Sequence, residues 1–114
     1  MFSSVNVFAD DSMTVYVSIS DGTLVVAYEK LSVTDIDNDG VISINDALYL
    51  AHESKCDGGA EKGYASSMGA YGLKIDKLWG VDNGDSYGYY VNNVSAMSLG
   101  DALKNGDHVY AFLY

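Results

Sequence analysis

The chain has 114 residues, of which 16 are acidic and 6 are lysine, with no arginine, and its formal net charge is −10. This length predicts one domain, and 48% hydrophobic residues are enough for a buried core. The acidic balance argues against nucleic acid as a partner, because little positive charge is available to neutralise phosphates. No apolar run reaches the length of a membrane span, so we expect no membrane insertion.

The first residues resemble the end of an export signal. Residues 7–9, with the sequence VFA, precede two aspartates and resemble a small-residue cleavage region. The charged and apolar parts that normally precede such a region are missing. We interpret residues 1–11 as either the stub of a trimmed signal peptide or a disordered start, and residues 12–114 as the single domain.

A hairpin is predicted at the start of this domain. Residues 13–20 alternate strictly, which predicts a strand with one buried face. Asp21-Gly22 is a strong hairpin turn, and residues 23–33 return as a second strand whose register stays open. The apolar face of the first strand consists of Met13, Val15, Val17 and Ile19.

Residues 35–46 have the spacing of an EF-hand calcium loop, in which a hard cation takes six to eight oxygen ligands. Gly40 falls at position six, where the chain turns sharply. A solvated acidic turn that caps a helix is the alternative interpretation. Asp46 is shorter than the usual glutamate, which predicts weak affinity, on the order of 10⁻⁴ to 10⁻³ M, or tighter binding if neighbouring residues contribute. The predicted calcium ligands are Asp35, Asp37, Asp39, Val41 through its backbone carbonyl, Ser43 and Asp46.

A short helix is predicted directly after the loop, over residues 43–55. Ser43 and Asp46 approximate a capping box, and a negative charge in the first turn of a helix is favourable. Gly58-Gly59 is predicted to end the helix. Residues 57–72 are rich in Gly, Ser and Ala and are interpreted as a connecting segment with at most a short helical turn.

The last forty residues return to strand character, with a turn at residues 82–85 and an aromatic strand at 87–92. Residues 99–105 are interpreted as an irregular or helical turn. Residues 108–114 are apolar on both faces, which predicts a strand inside the sheet. The order predicts an α+β fold with a β-grasp-like mixed sheet: N-terminal hairpin, calcium loop and short helix, then about three strands.

Two resemblances extend this interpretation. Residues 35–51 resemble one calcium repeat of a dockerin, although dockerins need two. Nearly the whole chain from Met13 is similar to small bacterial secreted domains related to the C-terminal domain of transcobalamin and intrinsic factor. That resemblance implies a β-grasp-like fold and an extracellular or cell-surface setting, often within a larger protein. The matching pieces are the opening strand, Asp46-Ala47-Leu48, residues 79–92 with Tyr89-Tyr90-Val91-Asn92, and residues 103–110.

Few other residues predict chemistry. His52 and His108 have no catalytic or metal-binding spacing and are interpreted as ordinary surface or half-buried residues. Cys56 has no partner for a disulfide, and its reactivity depends on surroundings that the sequence does not give. Asp82 and Asp85 are assigned to a turn rather than to a second ion.

The chain is rich in aromatic residues, with ten tyrosines and one tryptophan. Trp79, Tyr87, Tyr89 and Tyr90 suggest a flat platform for sugar rings or a partner protein. The favoured alternative is that some of these rings fill the core and the others cover the sheet.

The sequence as a whole predicts a non-enzymatic, secreted or cell-surface module with one structural calcium ion, serving ligand or partner binding on the extracellular side. One alternative is a domain that binds cobalamin or a related corrinoid. Another is a dockerin-like module that binds a cohesin. A sheet-forming unit of a cell-surface array is a further possibility of a different class.

Overall fold

The computed structural model describes residues 12–38, 40–70, 72–84, 86–96 and 98–113. The prediction for the segment 1–11 therefore lies outside the described residues. The described residues form two helices, α1 (Ile44–Lys55) and α2 (Gly59–Gly63). They also form seven strands: β1 (Ser12–Ser20), β2 (Leu24–Thr34), β3 (Ala65–Gly69), β4 (Gly72–Lys77), β5 (Tyr87–Val91), β6 (Val94–Ser95) and β7 (His108–Leu113).

The main sheet has five strands in the order β2-β1-β7-β5-β6, and β3 and β4 form a separate two-stranded sheet. β1 pairs antiparallel with β2 and parallel with β7. β7 pairs antiparallel with β5, which pairs antiparallel with β6. The predicted α+β class, the mixed sheet, the N-terminal hairpin and the interior position of the last strand are confirmed.

The alternation of β1 divides the main sheet into two faces. Val15, Val17 and Ile19 are fully buried and share one core cluster with residues of α1 and β7. The same alternation in β7 buries Val109 and Ala111. Because α1 contacts β1, β2 and β7, it covers the face to which these side chains point.

The segment between α1 and β4 differs from its prediction. Three of the five strands that follow α1 join the main sheet. β4 lies where the sequence predicts strand character, but β3 and its pairing with β4 in a second hairpin were not predicted. β3 has the sequence ASSMG and no fully buried residue, so it carries no apolar alternation that could identify it.

The glycines after α1 also act differently from the prediction. The helix ends at Lys55 with Cys56 as its C-cap, before Gly58-Gly59. Gly58 has φ +85° and is the N-cap of α2, so the glycine pair begins a second helix. Among the described residues, no helix is both long and apolar enough to cross a membrane.

Candidate metal centre

The acidic loop connects the end of β2 to the start of α1. Its exit is fixed by a neighbouring segment, residues 99–103. The N–H of Leu103 donates to the carbonyl of Ile42 at 2.9 Å. The N–H of Asn45 donates to the carbonyl of Leu99, also at 2.9 Å. The start of α1 is therefore fixed on both sides of Ser43, and the loop spans two anchored elements.

Asp46 closes the loop at its helical end. It is fully buried, and its Oδ1 accepts the N–H of Ile36 at 3.2 Å. Its Oδ2 accepts the backbone N–H of Ser43 at 2.9 Å and the hydroxyl of Ser43 at 3.3 Å. The predicted capping box of Ser43 and Asp46 is confirmed. One carboxylate thus connects the beginning of the loop to its end.

The turn inside the loop has the predicted form. Gly40 has φ +86°, a left-handed conformation that a glycine adopts without strain. Its N–H donates to Oδ2 of Asp35 at 2.8 Å. Asn38 is also left-handed, with φ +56°, and asparagine tolerates that region better than most residues. The turn brings the first residues of the loop towards α1.

Three predicted ligands meet at this point. Asp35, Asp37 and Asp46 each offer a carboxylate oxygen, and these oxygens lie within 4.8 Å of one another. Oxygens bound at about 2.3–2.6 Å to one calcium ion lie at most ~5 Å apart. The spacing therefore fits a shared cation. Asp46 is buried, Asp35 half-buried and Asp37 exposed, so the group reaches from the core to solvent.

The electrostatics of the cluster favour a counter-ion. Burial is the main cause that raises the pKa of Asp46 above its usual range, and the charge of Asp35 adds to it. Hydrogen bonds from Ser43 and Ile36 act in the opposite direction. A divalent cation between the carboxylates would offset both the desolvation and the repulsion.

The other three predicted ligands have different outcomes. Asp39 lies outside the described residues. The hydroxyl of Ser43 donates to Asp46 and belongs to the helix cap. The contribution of the Val41 carbonyl stays a prediction.

The interpretation of His52 as a surface or half-buried residue is wrong. His52 is fully buried, with its Nδ1 2.7 Å from the carbonyl of Leu48 and its Nε2 accepting the N–H of Trp79 at 3.0 Å. Its ring stacks on Tyr64, with ring centroids 4.9 Å apart. Trp79 lies outside β4 and has a left-handed backbone, with φ +50°. The half-buried position of His108 is confirmed.

The aromatic residues divide between the core and the surface, as the favoured interpretation predicted. Tyr87 is buried, and its hydroxyl donates to the carbonyls of Asp76 and Val81. Trp79 and Tyr89 pack against the core cluster. Asp82 accepts the N–H of Gly84 at 3.1 Å, as in a turn, and Asp85 lies outside the described residues.

The main sheet carries a cleft on its other face that was not predicted from the sequence. This open cleft has a volume of about 250 Å³ and is lined by Ser18, Leu24, Tyr28, His108 and Tyr110. The alternation of β1 and β7 places Ser18, His108 and Tyr110 on the face opposite the core. That alternation was the available signal, but the pairing of β1 with β7 was needed to bring the residues together.

No protein-family model matches the chain. The comparison with curated proteins also gives no match. The resemblances to dockerins and to the transcobalamin domain therefore stay predictions.

Proposed function

We propose that residues 35–46 bind one calcium ion and that this ion stabilises a non-enzymatic module that works outside the cell. The observation that carries the proposal is the convergence of the Asp35, Asp37 and Asp46 carboxylates within 4.8 Å, with Asp46 fully buried. A buried carboxylate is costly unless its charge is compensated, and a bound cation supplies that compensation.

The chemistry of the donors selects the class of ion. The three donors are carboxylate oxygens, and oxygen donors suit hard cations such as calcium and magnesium rather than zinc or copper. Calcium accepts six to eight oxygens in flexible geometry, whereas magnesium demands a near-ideal octahedron. A site that combines donors from a loop with one from the first turn of a helix therefore favours calcium.

The structural role of the ion follows from what the loop connects. Asp35 follows the last strand residue of β2 by one position, and Asp46 lies in the first turn of α1. An ion bound to both residues fixes the angle at which the helix leaves the hairpin. Because it binds the folded form, it stabilises that form by mass action. The weak affinity predicted from the short Asp46 side chain would match a secreted or cell-surface location, where free calcium is plentiful.

The finer assignment of the fold is part of the proposal. The order β2-β1-β7-β5-β6, with the first and last strands parallel at the centre, supports a β-grasp-like sheet. The two-stranded sheet β3-β4 is then an insertion between the helix and the third strand of that core. Among the described residues, no contact favours cobalamin or a cohesin over other partners, so the proposal commits to the calcium ion.

Calcium titration of thermal unfolding tests the proposal. We expect the melting temperature to rise with calcium into the millimolar range and to fall again with a chelator. Asp37→Asn should abolish the rise with little effect on the calcium-free protein, because Asp37 is exposed. Asp57→Asn is the matched control, since Asp57 is exposed and outside the loop, and it should keep the full response. An unchanged melting temperature in calcium and chelator would refute the structural ion.

A further inference from the structure

The cleft on the open face of the main sheet contains an aromatic ring held in a strained position. Tyr28 has φ +48°, a conformation that is a genuine outlier for a bulky residue. Its N–H donates to the buried Oγ of Ser18 at 3.0 Å, and its ring stacks on His108 with centroids 4.0 Å apart. The residue as a whole nevertheless stays 67% exposed.

Tyr28 lies at an irregularity of the β1–β2 pairing, because Val17 pairs with Glu29 whereas Ile19 pairs with Val26. A left-handed tyrosine costs free energy, and most of its apolar surface remains in water. Strain that is held in place by buried partners is typical of ligand-binding positions. The ring of Tyr110 extends the aromatic surface towards Phe112, with ring centroids 5.0 Å apart. The cleft therefore presents fixed, flat rings to solvent.

The hydrogen bonds of Ser18 indicate which ring nitrogen of His108 carries the proton. Ser18 Oγ already accepts the N–H of Tyr28, and it lies 2.8 Å from Nε2 of His108. Ser18 is 5% exposed, so its hydroxyl hydrogen needs a partner within the protein, and Nε2 is the acceptor at hand. With the Ser18 hydroxyl donating to Nε2, His108 carries its proton on Nδ1, and this N–H can donate to a ligand that reaches it.

The lining also narrows the class of ligand. Among the described residues, the cleft is lined by serine, leucine, two tyrosines and histidine, with no acid and no lysine. An anion would be repelled by a chain with a net charge of −10. The net charge and the faces of the tyrosine rings would attract a cation, so a cationic ligand is the rival class, and only the Nδ1–H donor counts against it. A neutral ring with one apolar face and several hydroxyl groups matches both the stacked rings and the donor.

We propose that the cleft of Ser18, Leu24, Tyr28, His108 and Tyr110 binds a neutral sugar ring, which stacks on the tyrosines and accepts a hydrogen bond from His108. The volume of about 250 Å³ is near the lower end of small-molecule pockets, which suits one or two rings of a longer chain. The proposal names a ligand class for the proposed binding module. It is separable from the calcium ion, because the cleft and the loop share no residue.

Isothermal titration calorimetry and NMR with the whole chain test this proposal. The probes are cellotetraose, xylotetraose and mannotetraose, with choline as a cationic rival. We expect at least one neutral tetrasaccharide to bind, with shifts at Tyr28, His108 and Tyr110. Tyr28→Asn should weaken binding at least about tenfold without lowering the melting temperature much, because asparagine accepts the left-handed backbone. Tyr49→Asn, at an exposed tyrosine on α1, is the matched control and should bind normally.

A second variant keeps the test independent of the strained backbone. Tyr110→Ala removes a ring from regular strand β7 and should cause a comparable loss of affinity. The proposal fails if no neutral probe binds at about 10 mM, if choline binds in their place, or if both tyrosine variants bind normally. Asp37→Asn should retain sugar binding, so failure of the calcium proposal and failure of this one are distinguishable.

Discussion

Helix α1 contains two fully buried titratable side chains, Asp46 in its first turn and His52 near its end. Burial moves their pKa values in opposite directions. The pKa of Asp46 is raised and that of His52 is lowered, in each case chiefly because desolvation disfavours the charged form. Desolvation thus disfavours the charged form at both ends of the helix, although one end holds an acid and the other a base.

The two sites differ in whether the protein alone completes them. His52 donates from Nδ1 to the carbonyl of Leu48 and accepts the N–H of Trp79, so its neutral ring needs nothing more. Asp46 has hydrogen-bond donors for both oxygens, but its negative charge lies beside that of Asp35. Hydrogen bonds can therefore satisfy a buried polar group without compensating its charge.

Replacing His52 should have the largest effect. His52→Ala leaves a cavity and removes the acceptor of the Trp79 N–H. We expect the free energy of unfolding, measured with urea, to fall by about 3–4 kcal/mol. Ser54→Ala, at an exposed position of the same helix, should change it little. The calcium-induced gain in stability should stay unchanged in both variants, and its loss in His52→Ala would show that the two ends are coupled.

Substitutions of Asp46 distinguish the two roles of its carboxylate, as a helix cap and as a proposed calcium ligand. Asp46→Ala removes the helix cap and the acceptor of the Ile36 and Ser43 N–H groups. We expect a loss of about 2 kcal/mol in chelator and no response to calcium. Asp46→Asn keeps a side-chain oxygen but no charge, so its loss in chelator should be smaller while the calcium response is still lost. A full calcium response in Asp46→Asn would mean that this carboxylate is not a ligand.

The Asp46 end of the helix was predictable because its partners are local. The Ser43 cap lies three positions from Asp46, and the Ile36 N–H lies ten positions away. The turn at Gly40 also depends only on neighbouring residues. A pattern of this length can be identified from spacing alone. The alternation of β1 was equally local, and it identified the buried face of the first strand.

The His52 end was not predictable in the same way. Its partner Trp79 lies 27 positions away and has a left-handed backbone that no local pattern indicates. β3 was not predicted because its sequence does not alternate between apolar and polar residues. The strand forms through its pairing with β4. The cleft around Tyr28 required the parallel pairing of β1 with β7. Contacts of this kind depend on topology, which composition and periodicity do not specify.

The pH dependence of stability should be the smallest of these effects. It tests directly how burial acts on His52 and Asp46, at the two ends of α1. The folded-state pKa of His52 lies below the ordinary value of 6.5. The unfolded chain therefore takes up the proton first as the pH falls below 6.5, and stability falls with it. The contribution is fully retained above pH 6.5, and its loss at pH 5.5 is at most about 1.4 kcal/mol. The contribution of Asp46 to stability changes in the opposite direction and rises as the pH falls, because its folded-state pKa lies above 3.8.

Urea unfolding between pH 7.5 and 5.5 measures the contribution of His52 to the pH dependence of stability. The pKa of His108 is also lowered by burial, so its share must be separated. The slope should largely persist in His108→Gln and largely disappear in His52→Leu, which keeps an apolar side chain in the buried position. An equal slope in wild type and His52→Leu would mean that the buried imidazole accepts a proton without cost. In that case the bonds to Leu48 and Trp79 would not hold it neutral, and the contrast between the two ends of α1 would fail.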